Sequence, residues 1–228
     1  MNEIIIESFL EFHNIIQELY NNKNATIFRG LSNDKYELIP SIYRLNPTHE
    51  KIEIIEKRLL HKFKSSSIAY NIARMPTNDW EWLALAQHFG LPTKLMDWTY
   101  NPLVALFFAV EKESDTNSCV YVTWKYENLK KFDSNPFSYN YKANRTGYNI
   151  YRPTYITQRI VNQASIFSIH PNKDYKCNTE NIIKIIIKND CRKSLKDTLF
   201  KYGINYRNLF PDLEGLCKDL TRIDTRCY

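Results

Sequence analysis

The chain has 228 residues, 43% of them hydrophobic and 25% charged, enough to bury a core and suited to one domain with insertions. A formal net charge of +6 and a pI near 8.9 suit an anionic partner such as a nucleotide or RNA without requiring one. Five cysteines with no C-x-x-C pair argue against a zinc knuckle or a disulfide framework, so no metal site is expected and a reducing, cytoplasmic setting is.

The N-terminal tract Met1–Glu7 carries acid among its apolar residues and does not read as a signal peptide. No apolar run approaches the roughly 18 residues of a membrane span, so no membrane partner is expected. Ser8-Phe9-Leu10-Glu11 has the form of a capping box, and Phe9, Phe12, Ile16 and Leu19 continue at helical spacing to about Tyr20. Thr26 to Arg29 reads as a short strand ended by Gly30. Asn46-Pro47 predicts the start of a long helix whose apolar face is Ile52, Ile55, Leu59 and Phe63, reaching about Arg74. Asp79 to Phe89 predicts a helix stopped by Gly90 and Pro92. Thr93 to Thr99 is extended, and Asn101-Pro102 opens an apolar helix through Val110.

Cys119 to Trp124 predicts a strand. Residues 127–157, rich in Asn, Tyr, Ser and Pro, predict a long loop or insertion. Within it Tyr139, Tyr141, Tyr148, Tyr151 and Tyr155 interleave with Lys142, Arg145 and Arg152, a pattern suited to single-stranded nucleic acid or to a loop packed on itself. Ala164–Ile169 and Ile182–Lys188 predict strands. Helices follow around Leu195 to Tyr202 and from Phe210 to Leu220. There is no internal repeat. No G-x-G-x-x-G or G-K-[ST] loop exists, which argues against a Rossmann or P-loop enzyme.

Three segments together carry a resemblance. The first is Ile27-Phe28-Arg29-Gly30 with Tyr36 to Arg44. The second is the unbroken run from Trp82 to Ala109, including Gln87-His88-Phe89-Gly90-Leu91-Pro92-Thr93 and Asp97-Trp98-Thr99. The third is Arg159 to Phe167 with Leu209-Phe210-Pro211-Asp212-Leu213-Glu214-Gly215. They resemble the FRG-domain family over about residues 8 to 220. The family usually has Gly where this chain has Ser165. A second resemblance, in the order of elements, is to the ADP-ribosyltransferase superfamily. One major class there has an Arg on an early strand and a Ser/Thr motif on a second strand. A helix and a third strand follow, and a later strand is opened by a catalytic Glu. Arg29 and the Thr93–Thr99 segment match the first two in kind. Where the Glu belongs, this chain has Gln158 or Arg159, with Gln163 nearby.

The expected fold is α+β: a single domain over residues 1–228, with a small mixed central sheet flanked by helices, similar to an ADP-ribosyltransferase. The expected catalytic set is Arg29, Asp97, Thr99, Gln163 and Glu214. Arg29 would clamp a phosphate through its planar fork, and Asp97 or Glu214 would substitute for the missing Glu. Arg29, Gly30, Arg44, Gln87, His88, Thr93 and Trp98 are expected to bind NAD, consumed as a substrate. RNA is the expected acceptor, and a toxin or phage-defence role with a cognate antitoxin protein is what the resemblance implies. Each residue also has a structural reading: an ion pair for Arg29 and Asp97, a helix cap for Thr99, a satisfied helix-end histidine for His88. Two further functions stay open. One is a non-catalytic nucleotide or nucleic-acid binding domain. The other is a hydrolase with His88 and Asp97 as acid–base pair.

Overall fold

A computed structural model describes residues 2–22, 26–45, 50–70, 72, 74–124, 126–128, 135–137, 148–170 and 181–225. Its strands are β1 (Asn2–Ile6), β2 (Ile27–Leu31), β3 (Leu95–Thr99), β4 (Ser118–Thr123), β5 (Tyr126–Asn128), β6 (Tyr148–Tyr151), β7 (Ser165–Ile169) and β8 (Ile182–Ile187). The helices are α1 (Phe9–Asn22), α2 (Ile52–Ser67), α3 (Asp79–His88), α4 (Pro102–Val110), α5 (Gln158–Asn162), α6 (Arg192–Lys201), α7 (Tyr206–Leu209) and α8 (Leu213–Thr225). The strands form one mixed sheet in the order β1-β8-β4-β2-β3-β7-β6-β5. The sheet is larger than the small one expected.

The structure departs from the sequence reading in two places. The sequence does not announce β1. It pairs in parallel with β8 at the sheet edge, and Asn2, Glu3 and Ile5 are exposed, so its pattern is that of a strand with one open side. The segment 127–157 is not all loop, because β5 and β6 pair with each other and β6 joins β7. Tyr139, Tyr141, Lys142 and Arg145 lie outside the described residues. So does the expected cap at Asn46-Pro47, and α2 itself ends at Ser67, short of Arg74.

Alternation along the strands sorts side chains into separate cores. Phe28, Val120, Val122, Ile185 and Ile187 bury against Phe12, Ile16 and Leu19 of α1, against α4, and against Leu195 and Leu199 of α6. Ile27, Met96, Trp98, Cys119, Tyr121 and Ile166 form a second cluster. Leu95, Tyr151, Phe167 and Ile169 pack with Leu60 of α2 and Trp80, Leu83 and Ala84 of α3. α4 therefore covers the β2 side of the sheet, and α3 covers the β3 side.

Two polar devices fix the segments that frame the space between them. Arg192 donates to the carbonyls of Ser32, Thr116 and Lys112, tying the loop after β2 to the end of α4. The 3-10 turn Ser41–Arg44 is zipped onto Thr93: Ile42 N donates to the Thr93 carbonyl at 3.3 Å, and Thr93 N donates to Ser41 Oγ at 3.3 Å.

Candidate functional site

The sheet opens between β2 and β3. β2 shares five register pairs with β4, and β3 shares five with β7, but β2 and β3 share one, Phe28 with Thr99. Beyond that pair the two strands diverge. Arg29, next in sequence, spans the gap: its Nη1 donates to the Asp97 carbonyl at 2.6 Å and lies 3.7 Å from Asp97 Oδ2. A ladder carbonyl that has lost its strand partner is thus satisfied by a side chain, as a shielded backbone acceptor must be.

A cleft of about 390 Å³ lies at this opening, within the range of small-molecule sites. Its walls include Arg29, Gly30, Tyr36 and Arg44 from β2 and the segment after it, Gln87, His88 and Gly90 from the end of α3, Asp97, Trp98 and Thr99 from β3, Phe108, Glu111 and Lys112 from α4 and beyond, and Arg159, Gln163 and Ser165. Four basic side chains (Arg29, Arg44, Lys112, Arg159) face two acids (Asp97, Glu111), so the lining favours an anion.

Asp97 is oriented from behind. Gln87 Nε2 donates to its Oδ2 at 2.8 Å, and Gln87 Oε1 accepts from Thr93 Oγ1 at 2.8 Å. Thr93 Oγ1 accepts in turn from Leu95 N at 3.1 Å. The carboxylate is nevertheless half exposed, while the Arg29 side chain is 19% exposed.

His88 ends α3, where the helix dipole favours an imidazolium. Burial outweighs it: desolvation, with Arg159 adding repulsion and Asp212 opposing, pushes the His88 pKa down to about 4. His88 is neutral at pH 7, so it offers a hydrogen bond but no general acid.

Also in the lining, the Arg159 guanidinium lies 4.1 Å from the centroid of the Phe210 ring. Burial lowers the Arg159 pKa, against the pull of Asp212, Asp97, Glu214 and Glu111.

The structure brings together Arg29, Asp97, Thr99, Gln163, Gly30, Arg44, Gln87 and His88, but several have structural work. Thr99 Oγ1 donates to the Gln163 carbonyl at 2.7 Å and accepts from Asn101 N at 3.0 Å, so it ties β3 to the turn before β7 and to the start of α4. Gln163 Nε2 donates to the Leu209 carbonyl at 3.0 Å. Gly30 serves α4 packing: a Cβ there would stand 1.8 Å from the Ala105 carbonyl oxygen.

Three expected site residues are elsewhere. Thr93 is fully buried behind Gln87. The Trp98 ring turns into the core, its Nε1 donating to Ser168 Oγ at 2.9 Å, and only its strand position borders the cleft. Glu214 is exposed and pairs with Lys218 one helical turn on. Among the described residues no three of His, Cys, Asp and Glu gather as a metal would need, and no helix is long and apolar enough to cross a membrane.

Arg159, Phe108 and Ser165 line the cleft without having been expected there. The sequence draws notice to Arg159 only for standing where an acid is sought. Its value depends on Phe210, which lies 51 positions on, and no local spacing shows such a pair.

Residues 24–118 match the family model of the FRG domain, a stretch that runs from just before β2 to the first residue of β4. No curated protein and no solved structure matches the chain.

Proposed function

From a chain that carries the FRG domain over residues 24–118, we propose that the cleft between β2 and β3 binds NAD and transfers its ADP-ribosyl group to a macromolecular acceptor, RNA being the class that the net charge of +6 fits. The observation that carries this reading is the opening of the sheet at Phe28–Thr99, with Arg29 across it and the Asp97 carboxylate held in the gap. The order of elements agrees: an Arg on β2, an extended Asp-Trp-Thr on β3, then a helix and a third strand.

In this reading the cationic lining neutralises the pyrophosphate. The bond between C1′ of the ribose and the nicotinamide nitrogen breaks, and nicotinamide leaves with the electron pair. The positive charge left on C1′ and the ring oxygen is stabilised by Asp97, held by Gln87 and Arg29 and in need of little reorganisation. An oxygen or nitrogen of the acceptor bonds to C1′, and its proton passes to water. Such an activity on RNA would suit a toxin or phage-defence effector restrained by an antitoxin protein.

The test is incubation of the chain with NAD labelled in the adenylate half, together with cellular RNA, DNA or protein. Label in one pool and release of nicotinamide are expected, both lost in Asp97→Asn. Label transfer undiminished by Asp97→Asn would reject the assigned role.

A second reading, binding without turnover, has its own observation. Asp97 Oδ2 is already engaged by Gln87 and approached by Arg29, and Ser165 rather than an acid opens β7 on the cleft. NAD binding with no nicotinamide release in any acceptor pool is the result that selects it.

A further inference from the structure

The two arginines Arg29 and Arg159 of the cleft lining are held in different ways. Arg29 donates to a backbone carbonyl and lies beside a carboxylate. Arg159 is held by a ring. Its guanidinium sits over Phe210, and Phe210 is itself braced edge-on by Phe108 at 6.0 Å and by the tilted ring of Tyr206 at 5.7 Å. Among the described residues Arg159 Nε is shielded from solvent and has no hydrogen-bond acceptor, and the guanidinium forms no ion pair within 4.0 Å. Asp212, Asp97, Glu214 and Glu111 act on it only from a distance. A ring can orient a guanidinium and favour its charge, but it accepts none of the in-plane N–H groups. A half-buried cation with an unused fork of donors, on the wall of a cleft, is a receptor for a planar pair of anionic oxygens.

We propose that Arg159, seated on Phe210, forms a second anion subsite, separate from Arg29, that takes two oxygens of a phosphoryl group. The phosphate comes either from the pyrophosphate of the bound dinucleotide or from the backbone of a nucleic-acid acceptor. The chemistry is the same in both, and the proposal rests on the proposed function only for the choice between them. It also gives a physical reason for an arginine where the resemblance leads one to look for a glutamate: the position binds charge instead of stabilising a cation.

The experiment uses the full chain and three probes, read by titration calorimetry at low salt: inorganic pyrophosphate, NAD, and a 5′-phosphorylated hexauridylate. Arg159→Gln is expected to weaken pyrophosphate about tenfold or more, the loss of a charge-assisted bidentate contact. Arg159→Lys, which keeps the charge and loses the fork, should fall between. Phe210→Leu should weaken pyrophosphate less than Arg159→Gln. The melting temperature of Arg159→Gln should stay within a few degrees of the parent, since no partner is left unpaired.

A loss with NAD assigns the phosphate to the dinucleotide, and a loss with hexauridylate alone assigns it to the acceptor. Either outcome supports the subsite. Pyrophosphate binding that depends on Arg159 in a chain that does not bind NAD would keep the subsite and reject the NAD reading. Equal pyrophosphate affinity in parent and Arg159→Gln, or no binding to the parent at millimolar probe, overturns the proposal. So does a melting loss above about ten degrees with affinity unchanged, which would make the stack on Phe210 purely structural.

Discussion

At the scale of single residues, Arg29 shows how binding and stability become entangled at a split sheet. Its donation to the Asp97 carbonyl replaces a missing ladder bond. Arg29→Ala should therefore abolish ligand binding and also destabilise the fold. A hydrogen bond from a charged donor contributes about 1.5–3 kcal/mol. The half-exposed Asp97 carboxylate adds little more, because solvent screens it. For a chain of this length each kcal/mol shifts melting by about 2–4 °C, so a drop of roughly 3–12 °C is expected by scanning calorimetry. An unchanged melting temperature would show that the carbonyl finds water instead.

His88 gives a second expectation at this scale. Its pKa is depressed by burial to about 4, from an ordinary value of 6.5. The unfolded chain binds a proton through that window and the folded chain does not, so stability is complete above about pH 6.5 and is lost as pH falls toward 4. By pH 5 the loss from His88 is on the order of 2 kcal/mol. The buried His170, depressed further by desolvation, adds to it with the same sign. Urea midpoints at pH 7.5 and pH 5 should draw closer together in His88→Gln. A difference between the two midpoints as large as the parent's would count against the buried neutral imidazole.

At the scale of elements, β2 and α4 meet more closely than a side chain allows. A Cβ on Gly30 would stand 1.8 Å from the Ala105 carbonyl oxygen and 2.7 Å from Ala109 N, both backbone atoms that cannot rotate aside. Gly30→Ala should push α4 off β2 and cost at least the roughly 1–3 kcal/mol typical of overpacking. A lower yield of folded protein and an earlier melting transition are the readouts. Thr99→Ala removes two hydrogen bonds, to Asn101 N and to the Gln163 carbonyl, and should cost about 1–3 kcal/mol. A parent-like transition in Gly30→Ala would mean that the helix can shift.

The same pair of elements marks what the sequence makes legible. The Phe-Arg-Gly triplet, the apolar run of α4 behind Asn101-Pro102, and the stop at Gly90 are local signals, and the elements stand where they predict. Asn101 caps α4 by accepting from Leu103 N at 2.9 Å, as its place before Pro102 suggests. The clustering of Arg29, Gln87, His88 and Asp97 is legible through the resemblance. What is not legible depends on distant partners. β1 has meaning only beside β8. β6 is hidden in a polar stretch because its pairing with β7 supplies what its composition lacks. Gly30 suggests room for a ligand in the sequence alone, since Ala105, whose carbonyl needs that room, lies 75 residues later.

At the scale of the whole molecule, the question is what the net charge of +6 is for. The cleft accounts for part of it, through Arg29, Arg44, Lys112 and Arg159. A second contributor is the segment after β5, where Lys142 and Arg145 lie outside the described residues. Arg152, beyond β6, is exposed and sits 5.4 Å from the centroid of the Tyr100 ring. Tyr100 directly follows Thr99 on the cleft wall, so a strand of nucleic acid laid over Arg152 would pass close to the site. If the acceptor is RNA, replacing Lys142, Arg145 and Arg152 together by Gln should weaken binding of a single-stranded oligonucleotide. It should also flatten the dependence of log K on log salt by about 2, from three lost phosphate contacts at roughly 0.7 each. NAD affinity should stay within about twofold if the segment contacts only the oligonucleotide; Arg152 is not among the residues that line the cleft. Fluorescence anisotropy of a labelled oligonucleotide at 50 to 300 mM salt measures the slope directly. An unchanged slope with unchanged affinity would remove the segment from the interface and leave its charge as a contribution to solubility. A parallel loss for NAD would mean that the two binding events share one surface.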